Sequence, residues 1–194
     1  MPTDLQTAKA ALRRQINAAL DAMSAEQRAA GSARICVRLR ELAAWKDAKS
    51  ILLFAPTPTE PDIWPLLAEV LASEKIAALP RYPATGRNYI AARVQNPESE
   101  IVSGKFGIRE PAARCPEISL SRFDLVLVPG VAFDRQGHRL GRGRGFYDRL
   151  LAGVKGVKCG IAIDEQVLNE VPAGAADVRL DFIVTPTRSV KIAA

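Results

Sequence analysis

The segment Leu125-Val126-Leu127-Val128 is a short, continuous apolar run, and it constrains the fold more than any other part of the chain. A strand that is apolar on both faces is typical of a parallel sheet covered by helices. The run Ile51–Ala55 has the same character, and further strands are predicted at 76–79, 89–94, 157–163 and 182–185. Helical patterns alternate with these strands. We therefore predict an α/β fold, doubly wound and Rossmann-like, with a mainly parallel sheet and helices on both faces.

Residues 4–23 are predicted to form an amphipathic helix with one apolar stripe, made by Leu5, Ala8, Leu12, Ile16, Leu20 and Met23. Ser24 and Gln27 match a capping box that begins a second helix. A later helix is expected to hold Pro61 in its first turn, and a short one is expected around 165–168. Lys9 and Arg13 lie four residues apart and therefore on one helix face. On its own, such a pair is also typical of a solvated basic surface.

A chain of 194 residues is predicted to form one domain, 1–194, with a hydrophobic core. It has no apolar run near the roughly 20 residues that span a bilayer, and no export signal is visible at its start. We expect a cytoplasmic monomer without membrane partners. Cys36, Cys115 and Cys159 show no paired spacing, so they are predicted to be buried, inert thiols. His138 is the one histidine, which excludes a histidine-rich metal site.

The positive charge is concentrated in one segment. Between Asp134 and Lys158 there are seven Lys or Arg and two Asp residues, which account for +5 of the net charge of +6. A nucleic-acid coat would spread its charge more widely, whereas a local concentration suits one anionic ligand.

The centre of this charge is the segment Arg139-Leu140-Gly141-Arg142-Gly143-Arg144-Gly145-Phe146-Tyr147-Asp148-Arg149. Alternating glycines let backbone N–H groups approach an anion, and a helix is predicted to begin directly afterwards. The segment lacks Gly-Lys-Ser/Thr and the Gly-x-Gly-x-x-Gly spacing, so neither a Walker A loop nor a dinucleotide-binding loop is expected. Phosphate binding is the predicted role, although flexible loops share this pattern.

Asp148 falls in the first turn of the predicted helix. A carboxylate there stabilises the positive end of the helix dipole, by roughly 0.3–1 kcal/mol. It could equally be a Mg²⁺ ligand, because this ion is commonly held by one or two carboxylates together with phosphates. The residues alone leave both readings open.

A longer segment carries a resemblance. Pro129-Gly130-Val131-Ala132-Phe133-Asp134, then Gly137 and the segment 139–149, resembles without gaps the signature of the 5-formyltetrahydrofolate cyclo-ligase family, also called methenyltetrahydrofolate synthetases. Weaker matches follow in order along the chain: Lys9 and Arg13, Glu60, Leu79-Pro80-Arg81-Tyr82, Phe106-Gly107-Ile108-x-Glu110-Pro111, Glu165-Gln166 and Asp177.

The resemblance implies a three-layer α/β enzyme that uses ATP and Mg²⁺ to convert 5-formyltetrahydrofolate into 5,10-methenyltetrahydrofolate, ADP and phosphate. It implies ATP binding by Lys9, Arg13 and Arg139 to Tyr147, and metal binding by Asp148 and Asp177. Folate would meet Ala55, Glu60, Phe106 and the stretch Arg142 to Phe146. Arg142, Arg144 and Tyr147 would be catalytic, with Glu60 orienting the substrate by accepting hydrogen bonds from the pterin or from nearby N–H groups.

Two other classes stay open on the residues alone. A basic nucleic-acid-binding module would suit the pI of about 9.5, but only 6% of residues are aromatic, which leaves few stacking platforms. A related kinase or sugar-phosphate enzyme would share the fold without sharing the chemistry. No nucleic-acid partner is expected.

Overall fold

The computed structural model of the chain describes residues 4–84, 88–104, 107–175 and 177–193. Its helices are α1 (Asp4–Asp21), α2 (Ala25–Glu41), α3 (Ala43–Asp47), α4 (Trp64–Leu71), α5 (Pro97–Glu100) and α6 (Phe146–Leu151). Its strands are β1 (Ser50–Leu52), β2 (Ile76–Arg81), β3 (Ile90–Val94), β4 (Ile101–Ser103), β5 (Arg109–Pro111), β6 (Glu117–Ile118), β7 (Leu125–Pro129), β8 (Ala132–Asp134), β9 (Arg139–Leu140), β10 (Val157–Ile161), β11 (Val167–Leu168), β12 (Phe182–Val184) and β13 (Ser189–Lys191). Two 3₁₀ turns span Leu120–Arg122 and Asp164–Gln166.

Eight strands form one sheet in the order β13-β12-β10-β7-β1-β2-β3-β6. The five central strands, from β12 to β2, are parallel, whereas β13, β3 and β6 pair antiparallel with their neighbours at the two edges. The chain leaves β1 towards β2 and later returns to β7 on the other side of β1. Ligands of open α/β sheets bind at such a reversal, beyond the carboxyl ends of the strands.

Alternate residues of the central strands face opposite layers, as the period of two in a strand requires. Leu125 and Leu127 pack in a cluster with buried residues of α1 to α4, whereas Val126 and Val128 pack with Leu150 and Leu151 of α6. Helices therefore cover both faces of a mainly parallel sheet, which confirms the predicted fold class.

Two local predictions are wrong. The stretch predicted as a helix at 165–168 is instead a 3₁₀ turn followed by β11, which pairs with β8. Gln166 is buried at the end of the 3₁₀ turn, and its side-chain amide donates to the carbonyls of Gly130 and Val131 at 2.8 and 3.1 Å, while the chain continues as a strand instead of a longer helix. The next helix begins at Trp64 with Pro65 in its first turn, so Pro61 lies in the preceding loop. The capping box of Ser24 and Gln27 is confirmed.

The carboxylate of Asp124 ties the start of β7 to the start of β1. Its Oδ2 accepts from the amides of Lys49 and Ser50, both at 2.9 Å, and from the Ser50 hydroxyl at 2.8 Å. The Ser50 hydroxyl and the two amides lower the pKa of Asp124. These bonds favour the ionised form, so they stabilise the fold only while the carboxylate is charged.

Asp124→Asn is expected to flatten the acid side of the stability profile. In the wild type the contribution of this carboxylate is complete above its unfolded pKa, about 3.9, and is lost as pH falls through the lower folded pKa. The free energy of unfolding, measured in urea from pH 5 down to pH 2, should therefore fall less steeply in the variant. Asp47→Asn, on the exposed end of α3, controls for the general effect of removing one acidic charge. Equal slopes in Asp124→Asn and the wild type would contradict the prediction.

No helix within the described ranges is both long enough and apolar enough to cross a membrane.

Candidate active site

A cavity of about 460 Å³ lies beyond the carboxyl ends of β1 and β7, where the sheet order reverses. Every predicted site residue within the described ranges lines it: Lys9, Arg13, Ala55, Glu60, Arg139, Leu140, Gly141, Arg142, Gly143, Arg144, Gly145, Phe146, Tyr147, Asp148 and Asp177. Phe106 lies outside the described residues. Residues far apart in the sequence, such as Lys9 and Asp177, therefore line the same cavity.

Helix α1 contributes its basic pair to the cavity. Lys9 Nζ lies 2.6 Å from Asp177 Oδ2, and Arg13 Nε donates to the carbonyl of Gly141 at 2.8 Å. Burial raises the pKa of Asp177, but the hydrogen bonds from Lys9 and the Gly174 amide outweigh it, so the net pKa is lowered. Burial lowers the pKa of Arg13, and the charge of Asp177 partly opposes this. The basic face of α1 that carries Lys9 and Arg13 therefore lines the cavity and is not an ordinary solvated surface.

The glycine segment turns sharply before α6. Gly143 has φ of +98° and Gly145 has φ of +63°, and Gly145 is the N-cap of α6. L-residues rarely adopt such backbone angles. The glycines are therefore required by conformation, and they bring the backbone between β9 and α6 along the cavity wall.

Gly145→Ala is expected to lower the free energy of unfolding by about 1–2 kcal/mol, because a Cβ is strained at this positive φ. Gly174→Ala is the matched control, since its φ is not positive and its added Cβ would meet ordinary contacts no closer than 3.4 Å. Chemical denaturation of both variants measures the difference. Equal stability of the two variants would contradict this account of the turn.

Arg139 and Asp148 form an ion pair on the inner side of the cavity. Arg139 Nη2 lies 2.8 Å from Asp148 Oδ1, and Nη1 donates to the carbonyl of Pro129 at 3.3 Å. The side chain of Arg139 is only 3% exposed, against 23% for Asp148. The guanidinium therefore holds the carboxylate in place and is itself set back from the open cavity.

The two predicted metal ligands share the cavity. Asp148 and Asp177 line the same cavity, and each uses one oxygen in its ion pair, with the second oxygen in no hydrogen bond to the described part of the chain. Mg²⁺ needs few protein carboxylates when phosphates and water complete its shell. No group of three or more His, Cys, Asp or Glu side chains suited to a metal occurs among the described residues. The donor set therefore fits an ion shared with a phosphate ligand, not an all-protein metal cage.

Glu60 is occupied by residues of the cavity. Its Oε1 lies 3.1 Å from Arg142 Nη2, and its Oε2 accepts from the Thr57 amide at 2.9 Å. Arg142 also donates to the Thr57 hydroxyl at 2.6 Å, and its side chain remains 55% exposed. Glu60 thus orients the arginine, while the exposed guanidinium remains accessible to an anion.

Tyr147 contributes a neutral phenol to the cavity. Burial raises the pKa of its phenol well above the ordinary value, and the nearby charge of Glu60 raises it further. The phenol therefore keeps its proton at neutral pH, which excludes it as a general base.

Thiol and imidazole chemistry lie outside the site. All three cysteines are free and buried, as predicted, and burial raises the pKa of Cys36 to about 11 and that of Cys159 to about 12. His138 lies in a loop and is partly buried, with Nδ1 2.9 Å from Oδ2 of the buried Asp134. None of these residues lines the cavity.

Part of the cavity wall was not predicted. The additional lining residues are Gln6, Thr57, Pro80, Tyr89, Ile108, Arg109, Glu110, Pro129 and Gly130. Tyr89 and Phe146 meet edge to face, with ring centroids 5.3 Å apart, and Tyr82 contacts both rings. The segments 79–82 and 106–111 matched the family pattern in order, and that signal could have placed Pro80, Ile108 and Glu110 in the site.

The chain is similar to known proteins over most of its length. The family model described as the 5-formyltetrahydrofolate cyclo-ligase family matches residues 5–186. The mouse 5-formyltetrahydrofolate cyclo-ligase is 27% identical over 191 residues, covering 93% of this chain and 94% of the relative. The enzyme of the same name from Escherichia coli strain K12 is 34% identical over 146 residues, covering 73% of this chain and 80% of the relative.

A solved structure gives the same result for the fold. The NMR structure of Aquifex aeolicus 5,10-methenyltetrahydrofolate synthetase superposes with a TM-score of 0.86 and 36% identity, covering 96% of this chain and 93% of that one. The match spans both ends of the chain and therefore all the elements that build the cavity. This chain belongs to the 5-formyltetrahydrofolate cyclo-ligase family.

Proposed function

We propose that this chain converts 5-formyltetrahydrofolate into 5,10-methenyltetrahydrofolate, with ATP and Mg²⁺, and releases ADP and phosphate. The observation that carries the proposal is the convergence of Lys9, Arg13 and Arg142 with Asp148 and Asp177 in one cavity. Within the described residues, six basic and four acidic side chains line this space. That balance suits a polyanion bound together with a divalent cation.

The triphosphate is expected along the glycine segment. The backbone from Gly141 to Gly145 turns beside Arg13 and itself carries Arg142. Backbone N–H groups and guanidinium groups can therefore both reach phosphate oxygens. Lys9 would give a further positive charge from α1. Arg139 is a positioning residue in this arrangement, because its guanidinium is buried against Asp148.

Mg²⁺ would be held by Asp148 and Asp177 on the side of the cavity that Lys9 and Arg139 occupy. Bound there, the ion would neutralise charge on the phosphates during phosphoryl transfer. The ion pairs to Lys9 and Arg139 keep both carboxylates at the cavity wall.

The reaction follows from the chemistry of an N-formyl group, whose oxygen is a poor leaving group and whose carbon is a poor electrophile. The formyl oxygen attacks the γ-phosphorus of ATP, the bond to the bridging oxygen breaks, and ADP leaves. N10 then attacks the activated carbon, and the former formyl oxygen leaves on phosphate, which also receives the N10 proton. No external oxidant or reductant is required, because a neutral amide and ATP give the methenyl cation, ADP and phosphate.

The protein supplies position and charge in this scheme. Phosphoryl transfer asks for in-line placement and neutralised charge, and Arg142 and Arg144 flank the glycines where the γ-phosphate is expected. Holding N10 beside the formyl carbon can contribute up to about 7–11 kcal/mol. Tyr147 would donate a hydrogen bond, and Ala55, Tyr89 and Phe146 would give an apolar wall for the folate. A cytoplasmic monomer acting on these small molecules alone, without nucleic acid, completes the proposal.

The test mixes purified protein with 5-formyltetrahydrofolate, ATP and MgCl₂ and follows the absorbance of the methenyl product together with release of ADP. Product should form only when all three are present, with one ADP per methenyl group. Turnover without ATP, or ATP hydrolysis without methenyl product, would contradict the proposal.

A further inference from the structure

Glu110 places a buried carboxyl group in the cavity wall. It lies in β5, opposite Val102 of β4, and is only 4% exposed. Carboxylates are seldom this buried unless each oxygen finds a partner.

The two oxygens of Glu110 differ. Oε2 accepts from the Tyr82 amide at 3.0 Å, whereas Oε1 is buried without a hydrogen-bond partner in the described part of the chain. A buried polar atom left unpaired costs roughly 1–3 kcal/mol, so it calls for a ligand or a functional reason. Glu60 shows the contrast, because both of its oxygens are already bonded within the protein.

The carboxyl group has little freedom to find another partner. A Cβ at residue 104 would lie 2.6 Å from Oε2, so the glycine backbone packs directly against the carboxyl group. The Tyr82 amide, directly after β2, donates to the same Oε2. The carboxyl group is therefore held between the Gly104 backbone and the Tyr82 amide.

The neighbouring cavity wall is mainly apolar and aromatic. Pro80, Tyr89, Ile108 and Phe146 line the cavity with Glu110, and the rings of Tyr89 and Phe146 meet edge to face. Burial raises the pKa of Glu110, and the Tyr82 amide and the charge of Arg81 oppose this only in part. A flat heterocycle with N–H groups on its edge would contact the rings and supply the missing hydrogen bond.

We propose that Oε1 of Glu110 accepts a hydrogen bond from the amino or ring N–H donors of the substrate's pterin, and so selects and orients the bicyclic end of the folate. The inference rests on the proposed function, because the pterin is the part of that substrate that carries such donors. Glu110 then acts as a specificity-determining residue for the folate and takes no part in the phosphate chemistry at the glycine segment.

The test compares steady-state kinetics of the wild type and Glu110→Gln. Glutamine keeps an acceptor for the Tyr82 amide but turns an N–H towards the N–H donors of the pterin. The KM for 5-formyltetrahydrofolate should rise at least about tenfold, while the KM for ATP stays within about twofold. Glu100→Gln is the matched control, because Glu100 also accepts backbone amides, at Gln95 and Asn96, but does not line the cavity.

A substrate analogue separates recognition from a structural role. The analogue without the 2-amino group should lose affinity for the wild type by about tenfold, and Glu110→Gln should discriminate little between the two compounds. Glu110→Asp, which withdraws the carboxylate by one methylene, provides a second variant and should raise the same KM. If Glu110→Gln or Glu110→Asp is folded and active with an unchanged folate KM, or if the KM for ATP rises equally, the proposed role of Glu110 is wrong. Either result would leave the proposed function of the protein intact. Absence of turnover by the wild type would contradict the proposed function as well.

Discussion

Asp148→Asn is expected to lower the turnover of 5-formyltetrahydrofolate by about 10²–10³-fold. This is the usual effect of removing one group that stabilises developing charge. Asparagine can still accept a hydrogen bond from Arg139, but it is a neutral and much weaker ligand for a divalent cation. The concentration of MgCl₂ needed for half-maximal rate should rise in parallel. Initial rates at increasing MgCl₂ measure both effects.

The loss of rate must be separated from a loss of structure. Asp148 neutralises a guanidinium that is 3% exposed, so the variant should also be destabilised, by about 2 kcal/mol. Circular dichroism and urea denaturation show whether the variant is folded at the assay temperature. Glu69→Gln is the matched control, because Glu69 also pairs with an arginine, Arg40, on the exposed surface. Full activity in a folded Asp148→Asn would remove this carboxylate from the metal site.

Arg142→Ala is expected to lower kcat by about a hundredfold, because the variant loses a positive charge beside the transferring phosphoryl group. The effect should fall on kcat more than on the KM for ATP, since charge on the phosphoryl oxygens is shared most widely in the transition state. Glu60 would lose its cationic partner and keep the Thr57 amide. Stopped-flow or steady-state assays of methenyl formation measure the change.

Arg40→Ala is the control for this second prediction, because Arg40 forms an exposed ion pair outside the cavity. Its removal should leave kcat within about twofold, since exposed ion pairs contribute little to stability. A rise in the KM for ATP with kcat unchanged in Arg142→Ala would mean that the guanidinium binds the ground state only, and the proposed catalytic role would then be wrong.

The central sheet could be predicted because its information is local. The run from Leu125 to Val128 is apolar at every position, so it can be recognised as a buried strand without knowledge of its neighbours. The helix from Phe146 to Leu151 begins directly after a glycine whose backbone forms a tight turn, which marks the start of the helix in the sequence. The antiparallel edges were not predicted, because strand direction depends on connections rather than on residue patterns. The segment after Gln166 shows the same limit: Val167 and Leu168 were expected in a helix, but they form β11 because they pair with β8.

The candidate site divides in the same way. The glycine segment could be predicted from its spacing, and Lys9, Glu60 and Asp177 could be predicted from the resemblance. The ion pairs of Lys9 with Asp177 and of Glu60 with Arg142 could not be read from the sequence. Glu110 was quoted as part of a motif but not predicted as a site residue. Its significance depends on an unpaired, buried oxygen and on the packing of Gly104 against the carboxyl group, and neither can be read from the sequence.

The contacts of α1 bear on how the protein matures. Lys9 pairs with Asp177 across 168 positions, and Arg13 reaches Gly141 across 128. During synthesis, the pair between Lys9 and Asp177 can form only after residue 177 has left the ribosome. Helix α1 can therefore take its place in the cavity only late in translation. Contacts between such distant segments form slowly during folding. On dilution from denaturant, recovered enzyme activity should lag behind the return of helical signal and report the last step of assembly.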